Sequence, residues 1–310
     1  RLRFLANILV VALTLLALPT ALQAQECPGF ESSAAASTRL EHDAIDESSG
    51  LAASHRHKDM FWTHNDSGDD ARLFMVDGDG KHIGELNLGD VPFVDVEDIA
   101  VAPCEVGSDE SCIYVGDIGD NRSKRPQVLV YKLREPELPE DRPFSIEADD
   151  IDRIVLQYKE GPRDAETLIV HPETLQMIIF EKSTAVETGV WSTTASTRAQ
   201  PDVQVAKREA TVRISSPIQL GRYVTAGDIS PDGRRISVRT YLAVFTWCIP
   251  DGATIAEALE ADPTVSSTPG MVQSEALAYD PDGTSIWLTS ERRPTPLVRL
   301  KTDAEPASGR

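Results

Sequence analysis

Five stretches of this chain begin alike, and that internal repetition limits its possible folds more than any other feature. Each opens on a small or acidic residue, runs through a short apolar stretch, turns, and runs apolar again. The openings are Ser49-Gly50-Leu51-Ala52, Glu97-Asp98-Ile99-Ala100, Glu166-Thr167-Leu168-Ile169, Gly227-Asp228-Ile229-Ser230 and Glu275-Ala276-Leu277-Ala278. A second strand-like run follows each: Met60 to Asn65, Cys112 to Gly116, Met177 to Glu181, Ile236 to Arg239 and Ser285 to Thr289. A repeat of about 50 residues with several short strands per copy is the pattern of a β-propeller, whose like modules close into a ring. The expected fold is an all-β propeller, five-bladed by repeat count. Six blades is the alternative, if the longer second or third repeat hides another.

The punctuation between these runs is that of tight turns. Asp77-Gly78-Asp79-Gly80 reads as a hairpin turn, and Pro231-Asp232-Gly233 and Pro281-Asp282-Gly283 place Pro where φ is preset and Gly where φ turns positive. Helical periodicity is nearly absent, apart from a short turn expected at Ile255 to Glu260. Arg39 to Ile45 reads as a strand closing the ring against the last repeat. The Pro- and acid-rich stretch Arg134 to Asp150 reads as an excursion. The organisation expected is a leader over 1–24, an arm over 25–38, one propeller domain over 39–301, and a disordered tail over 302–310.

Residues 1–24 have the form of a secretory signal. Arg1 and Arg3 precede an apolar run from Phe4 to Leu18, and Ala21-Leu22-Gln23-Ala24 supplies small residues for cleavage. The run is short for a stable membrane span. Secretion or a periplasmic location follows, with no stable membrane anchor after cleavage. The chain has four cysteines, an even number suited to an oxidising compartment. Cys104 and Cys112 flank one loop between two expected strands, so a bridge there is the first choice, leaving Cys27 with Cys248. Four cysteines allow two other pairings. No C-x-x-C spacing suggests a redox or zinc site.

Lys and Arg number 30 against 50 for Asp and Glu, a formal charge of -20. That surface repels nucleic acid and favours cations; a solubilising acidic skin is the plainer reading. The expected partner is a small-molecule, glycan or peptide ligand at the channel mouth, bound by a monomer.

If the repeats superimpose, Glu97, Glu166 and Glu275 stand at equivalent places near the axis, with Ser49 and Gly227 completing the set. Like charges so close raise one another's pKa unless a cation intervenes. Lys182, Arg239 and Arg292 come from matching positions to neutralise them. A buried ion-pair network fixing the register is the structural alternative to a catalytic set of Glu97, Glu166, Glu275, Lys182 and Arg239.

Two loops have metal-binding composition. One is His64-Asn65-Asp66-Ser67-Gly68-Asp69-Asp70, the other Gly116-Asp117-Ile118-Gly119-Asp120-Asn121. Carboxylates and amide oxygens beside glycines suit calcium, so Asn65, Asp66, Asp117, Asp120 and Asn121 are the candidate ligands. Metal-free Asx turns are the alternative. Asp77-Gly78-Asp79-Gly80 opens like an EF-hand loop, but Leu88 stands where the closing Glu belongs. No G-x-S-x-G occurs, and of the six histidines only His64 reads as a mouth residue.

The motifs Ser48-Ser49-Gly50-Leu51-Ala52 with Trp62-Thr63-His64-Asn65-Asp66-Ser67-Gly68, and Val96-Glu97-Asp98-Ile99-Ala100 with Tyr114-Val115-Gly116-Asp117-Ile118-Gly119-Asp120-Asn121, resemble a group of uncharacterised secreted bacterial β-propeller proteins. So do Asp228-Ile229-Ser230-Pro231-Asp232-Gly233 and Ser274-Glu275-Ala276-Leu277-Ala278-Tyr279. A looser similarity links the chain to the phytase-like, esterase-like propeller domain. That resemblance implies a calcium-supported propeller cleaving phosphate or other esters, with no residue matched to a proven catalytic position. The expected activity is thus a metal-dependent phosphoester or ester hydrolase, with a non-catalytic binding scaffold as the alternative.

Overall fold

The computed structural model describes residues 27–194 and 203–303. The leader, the chain after residue 303 and any contact made by 195–202 lie outside the described residues.

The protein is a β-propeller. Its innermost strands are Ser48–Ala53, Asp98–Pro103, Ala165–Val170, Val224–Ile229 and Ala276–Tyr279. Most positions in them are buried, which is why their sequences run apolar and small rather than alternating. Each inner strand neighbours the next, and Ala276–Tyr279 returns to Ser48–Ala53, so the five form a closed cycle. From each, antiparallel strands step outward in chain order. The apolar cores lie between successive sheets. Phe61 stacks on Trp287 at 5.0 Å where the last sheet meets the first, and Phe180 lies 6.4 Å from Trp247 between the third and fourth. Each sheet therefore buries its faces only by having neighbours on both sides.

The repeated turns are built alike. Gly233 N–H bonds to Ser230 O and Gly283 N–H to Asp280 O, both at 2.8 Å. Both glycines have positive φ, and the Asp before each caps a backbone N–H beyond it.

Three features depart from the expectations above. The closing strand is Ala36–Arg39, paired with Pro296–Lys301, rather than Arg39 to Ile45. As an exposed edge strand of small and β-branched residues, it has the composition of a linker. The Arg134–Asp150 excursion contains a strand, Phe144–Glu147, which adds in parallel to His82–Asn87 at the rim of the first sheet. A fourth outward strand of the fourth sheet, Thr264–Ser267, carries no clear sequence signal. The second and third sheets are also joined at their rims by a parallel pairing of Asp152–Tyr158 with Gln204–Arg213.

Cys104 is bonded to Cys112 and Cys27 to Cys248, the pairing preferred from the sequence. The second bridge ties the start of the described chain to the fourth sheet. Among the described residues no helix is long and apolar enough to cross a membrane.

Candidate functional site

The inner strands set the site because corresponding residues arrive at one end of the channel together. Glu97 and Glu275 immediately precede two of these strands, and Glu166 is the second residue of a third. All three are nearly fully buried. Their mutual influence shows that they share one environment. Burial raises the Glu97 pKa well above the ordinary range, and Glu166, Asp66 and Asp95 push it further. Burial likewise raises Glu166, against the pull of Lys182. Glu275 is pushed up to about 7 by burial, opposed by a hydrogen bond from Tyr241 and by the charges of Lys182 and Arg239.

Lys182 follows the second strand of the third sheet and reaches back to Glu166 Oε1. Burial would lower its pKa, but Glu166, Glu275 and Glu97 together hold it above the ordinary lysine range. It is an internal cation shared by three acids. Tyr241 donates to Glu275 Oε1 at 2.7 Å. Arg239 is fully buried, and its Nη1 donates to Ala276 O and Thr289 O, each at 2.8 Å. Burial lowers it to about 9, with Glu275 opposing. It holds the last two sheets together beneath Glu275, with no surface of its own at the mouth. The five residues expected to form a catalytic set thus belong to one electrostatic cluster, in which Lys182 is ion-paired to Glu166 and Arg239 is bonded through Nη1 while its Nε and Nη2 are buried without a partner.

The expected metal ligands divide. Asp66 joins Asp95 and Glu97, with one carboxylate oxygen of each lying within 4.8 Å of the others. Asp95 was not singled out in the sequence; it lies at a bend two residues before Glu97, ahead of the inner strand Asp98–Pro103. Asn65 is turned inward: its Oδ1 accepts from Glu47 N at 3.2 Å, and its Nδ2 donates to Ala44 O at 2.6 Å. Asp117 is fully buried, pairs with Arg125 Nη1 at 2.8 Å, and accepts from Asp95 N at 3.0 Å and Val94 N at 3.2 Å. Asp120 accepts from Arg125 N at 2.6 Å, and Asn121 is exposed. His64 is buried, donates from Nδ1 to Asn65 O at 2.8 Å, and leaves Nε2 without a partner.

The second loop still shapes the cluster, through its glycine. A Cβ on Gly119 would lie 2.2 Å from Glu97 Oε1 and 2.7 Å from Asp95 Oδ2. Only a residue without a side chain lets both carboxylates approach there. Glu166 Oε2 is likewise buried, with no hydrogen-bond partner. The donor set is all oxygen, which suits a hard divalent cation such as calcium rather than zinc or copper.

No family model matches the chain, and no curated protein matches it. Among solved structures it is similar to the WD40 repeats of RRP9, at 12% identity over 82% of this chain and 67% of that one, with a TM-score of 0.38. It is also similar to the structure of U3-55K, at 12% identity over 81% and 67%, again with a TM-score of 0.38. Similarity at that level says nothing about the chemistry of the mouth, and the fold stands on the strand topology itself. The motif-level resemblance to phytase-like propellers and to the secreted bacterial group finds no support in these comparisons.

Proposed function

We propose that this protein is a five-bladed, secreted or periplasmic binding propeller whose acidic channel mouth takes a divalent cation, calcium by its donor chemistry, and presents it to a polar ligand. The observation that carries this reading is the convergence of Asp66, Asp95 and Glu97 around the space left by Gly119. Those three residues would hold the ion, and the charge of Glu166 acts on Glu97 among them. A bound cation would offer a Lewis-acidic, ligand-accepting position. The chain's own residues set the surroundings: Lys182 neutralises Glu166, and Tyr241 holds Glu275 in place. Two internal disulfides fit an oxidising compartment.

A scaffold is favoured over an enzyme because Lys182 is ion-paired to Glu166 and Arg239 is fully buried, so neither presents a cation at an open surface to steady charge developing on a substrate. A phosphoester or ester hydrolase is the second reading. It is favoured by the unpartnered Glu166 Oε2, a buried carboxylate oxygen able to accept a proton.

The test is thermal melting with and without millimolar calcium, followed by a phosphoester and ester panel. Calcium should raise Tm by about 5 °C at saturation, and Asp95→Asn should abolish the shift. An unchanged Tm in the wild type ends the cation reading. Turnover that Glu166→Gln removes would replace the scaffold with the hydrolase.

A further inference from the structure

Away from the channel, two histidines and a glutamate meet where the ring closes. His42 lies in the segment that leads from the closing strand into the first sheet. His82 and Glu85 lie on that sheet's outer strand, His82–Asn87. The two imidazoles are 4.0 Å apart between centroids, and one potential ligand atom from each of the three residues lies within 4.8 Å of the others. We propose that His42, His82 and Glu85 form a transition-metal site of the zinc type, clamping the closing segment to the first sheet.

The side chains have the arrangement that metal-ligating groups require. His82 Nε2 is buried with no hydrogen-bond partner, which leaves it open to a metal. Among the described residues the His42 ring accepts one hydrogen bond, a long one from Ala44 N at 3.3 Å, which a metal could displace at small cost. Glu85 also meets Arg72 Nη1 at 3.3 Å, but Arg72 is already paired to Asp69 at 2.9 Å and 3.2 Å. Its charge is answered there, and Glu85 keeps an oxygen to give. Two imidazoles and one carboxylate suit zinc and its neighbours, whereas calcium prefers oxygen alone. Ligand atoms around tetrahedral zinc are about 3.4 Å apart, so binding draws the three groups together by about 1 Å.

A stacked aromatic cluster is the metal-free explanation, since Phe74 lies 5.8 Å from His42 and 6.2 Å from His82. It accounts for the stacking but not for the unpartnered His82 Nε2.

The experiment titrates zinc chloride into the metal-stripped mature chain, reading stoichiometry by calorimetry and Tm by melting, with cobalt(II) absorbance as a coordination probe. One zinc per chain is expected, with a Tm rise of about 5 °C at a hundredfold excess over Kd. His42→Gln and His82→Gln should each weaken binding at least tenfold and remove the tetrahedral cobalt bands, while Asp95→Asn, in the channel mouth, leaves zinc binding intact. Should a histidine variant fail to fold, Glu85→Gln gives the same reading. Absence of zinc binding overturns the inference, as does zinc binding that survives all three variants or is lost in Asp95→Asn alone. Calcium behaviour at the mouth is read separately, so either site can fail without the other.

Discussion

The loops after the second strands of the first and second sheets are built from the same residues yet do opposite things. In the first, Asp66 has no ion pair among the described residues and groups its carboxylate with Asp95 and Glu97. In the second, Arg125 lies a few residues on and takes Asp117 as an ion pair, while its backbone N–H takes Asp120. One loop supplies charge to the mouth. The other spends its charge internally and supplies a gap, at Gly119. Composition gives both loops cation-binding character, but each also has an arginine close behind it: Arg72 takes Asp69 and leaves Asp66 to the cluster, whereas Arg125 takes Asp117.

The largest effect that would break this contrast is on stability. Asp117→Ala leaves Arg125 unpaired and strands two backbone donors, and should cost about 3–5 kcal/mol. In denaturant melts the loss should appear with the calcium affinity of the surviving folded protein unchanged. Altered calcium affinity at unchanged stability would make Asp117 a ligand after all.

Gly119→Ala comes next. Its Cβ would collide with Glu97 and Asp95, so a destabilisation of about 1–3 kcal/mol should come with loss of the calcium shift. Calcium binding that persists in this variant would show that the space beside Gly119 is not where the ion sits.

The smallest effect is on pH dependence. Glu275 and Glu291 are both raised to about 7, by burial and by neighbouring acids that include Asp66. A carboxyl whose folded pKa is raised holds its proton in the native state when the unfolded chain has lost it. Its contribution is therefore full below the ordinary value of 4.5 and is lost as pH rises toward 7. The metal-free protein should melt about 4 °C lower at pH 8 than at pH 5, and Asp66→Asn should flatten that slope. A slope of the opposite sign would mean that the mouth is not a bank of uncompensated acids.

Some of the site could be read along the chain. Glu97, Glu166 and Glu275 were visible because each stands in the same relation to an inner strand. Asp95 and Tyr241 were not, since they come from loops with no repeated pattern. His42, His82 and Glu85 were invisible for another reason: the meeting of the closing segment with an outer strand has no counterpart elsewhere in the ring, so repetition could not point to it. Asn65, Asp117 and Asp120 had the right composition, but Ala44, Glu47 and Arg125 claimed them.

Repeated apolar runs and Pro-Asp-Gly turns determined the modules, because short strands with both faces apolar can be buried only between like neighbours. The spacing of Cys104 and Cys112 favoured their bridge in the same local way. Which acids remain unanswered was decided only by the tertiary structure. A charge pair depends on distances of a few ångströms between side chains far apart in the chain, and Coulomb energy at that range is set by packing, not by order along the sequence.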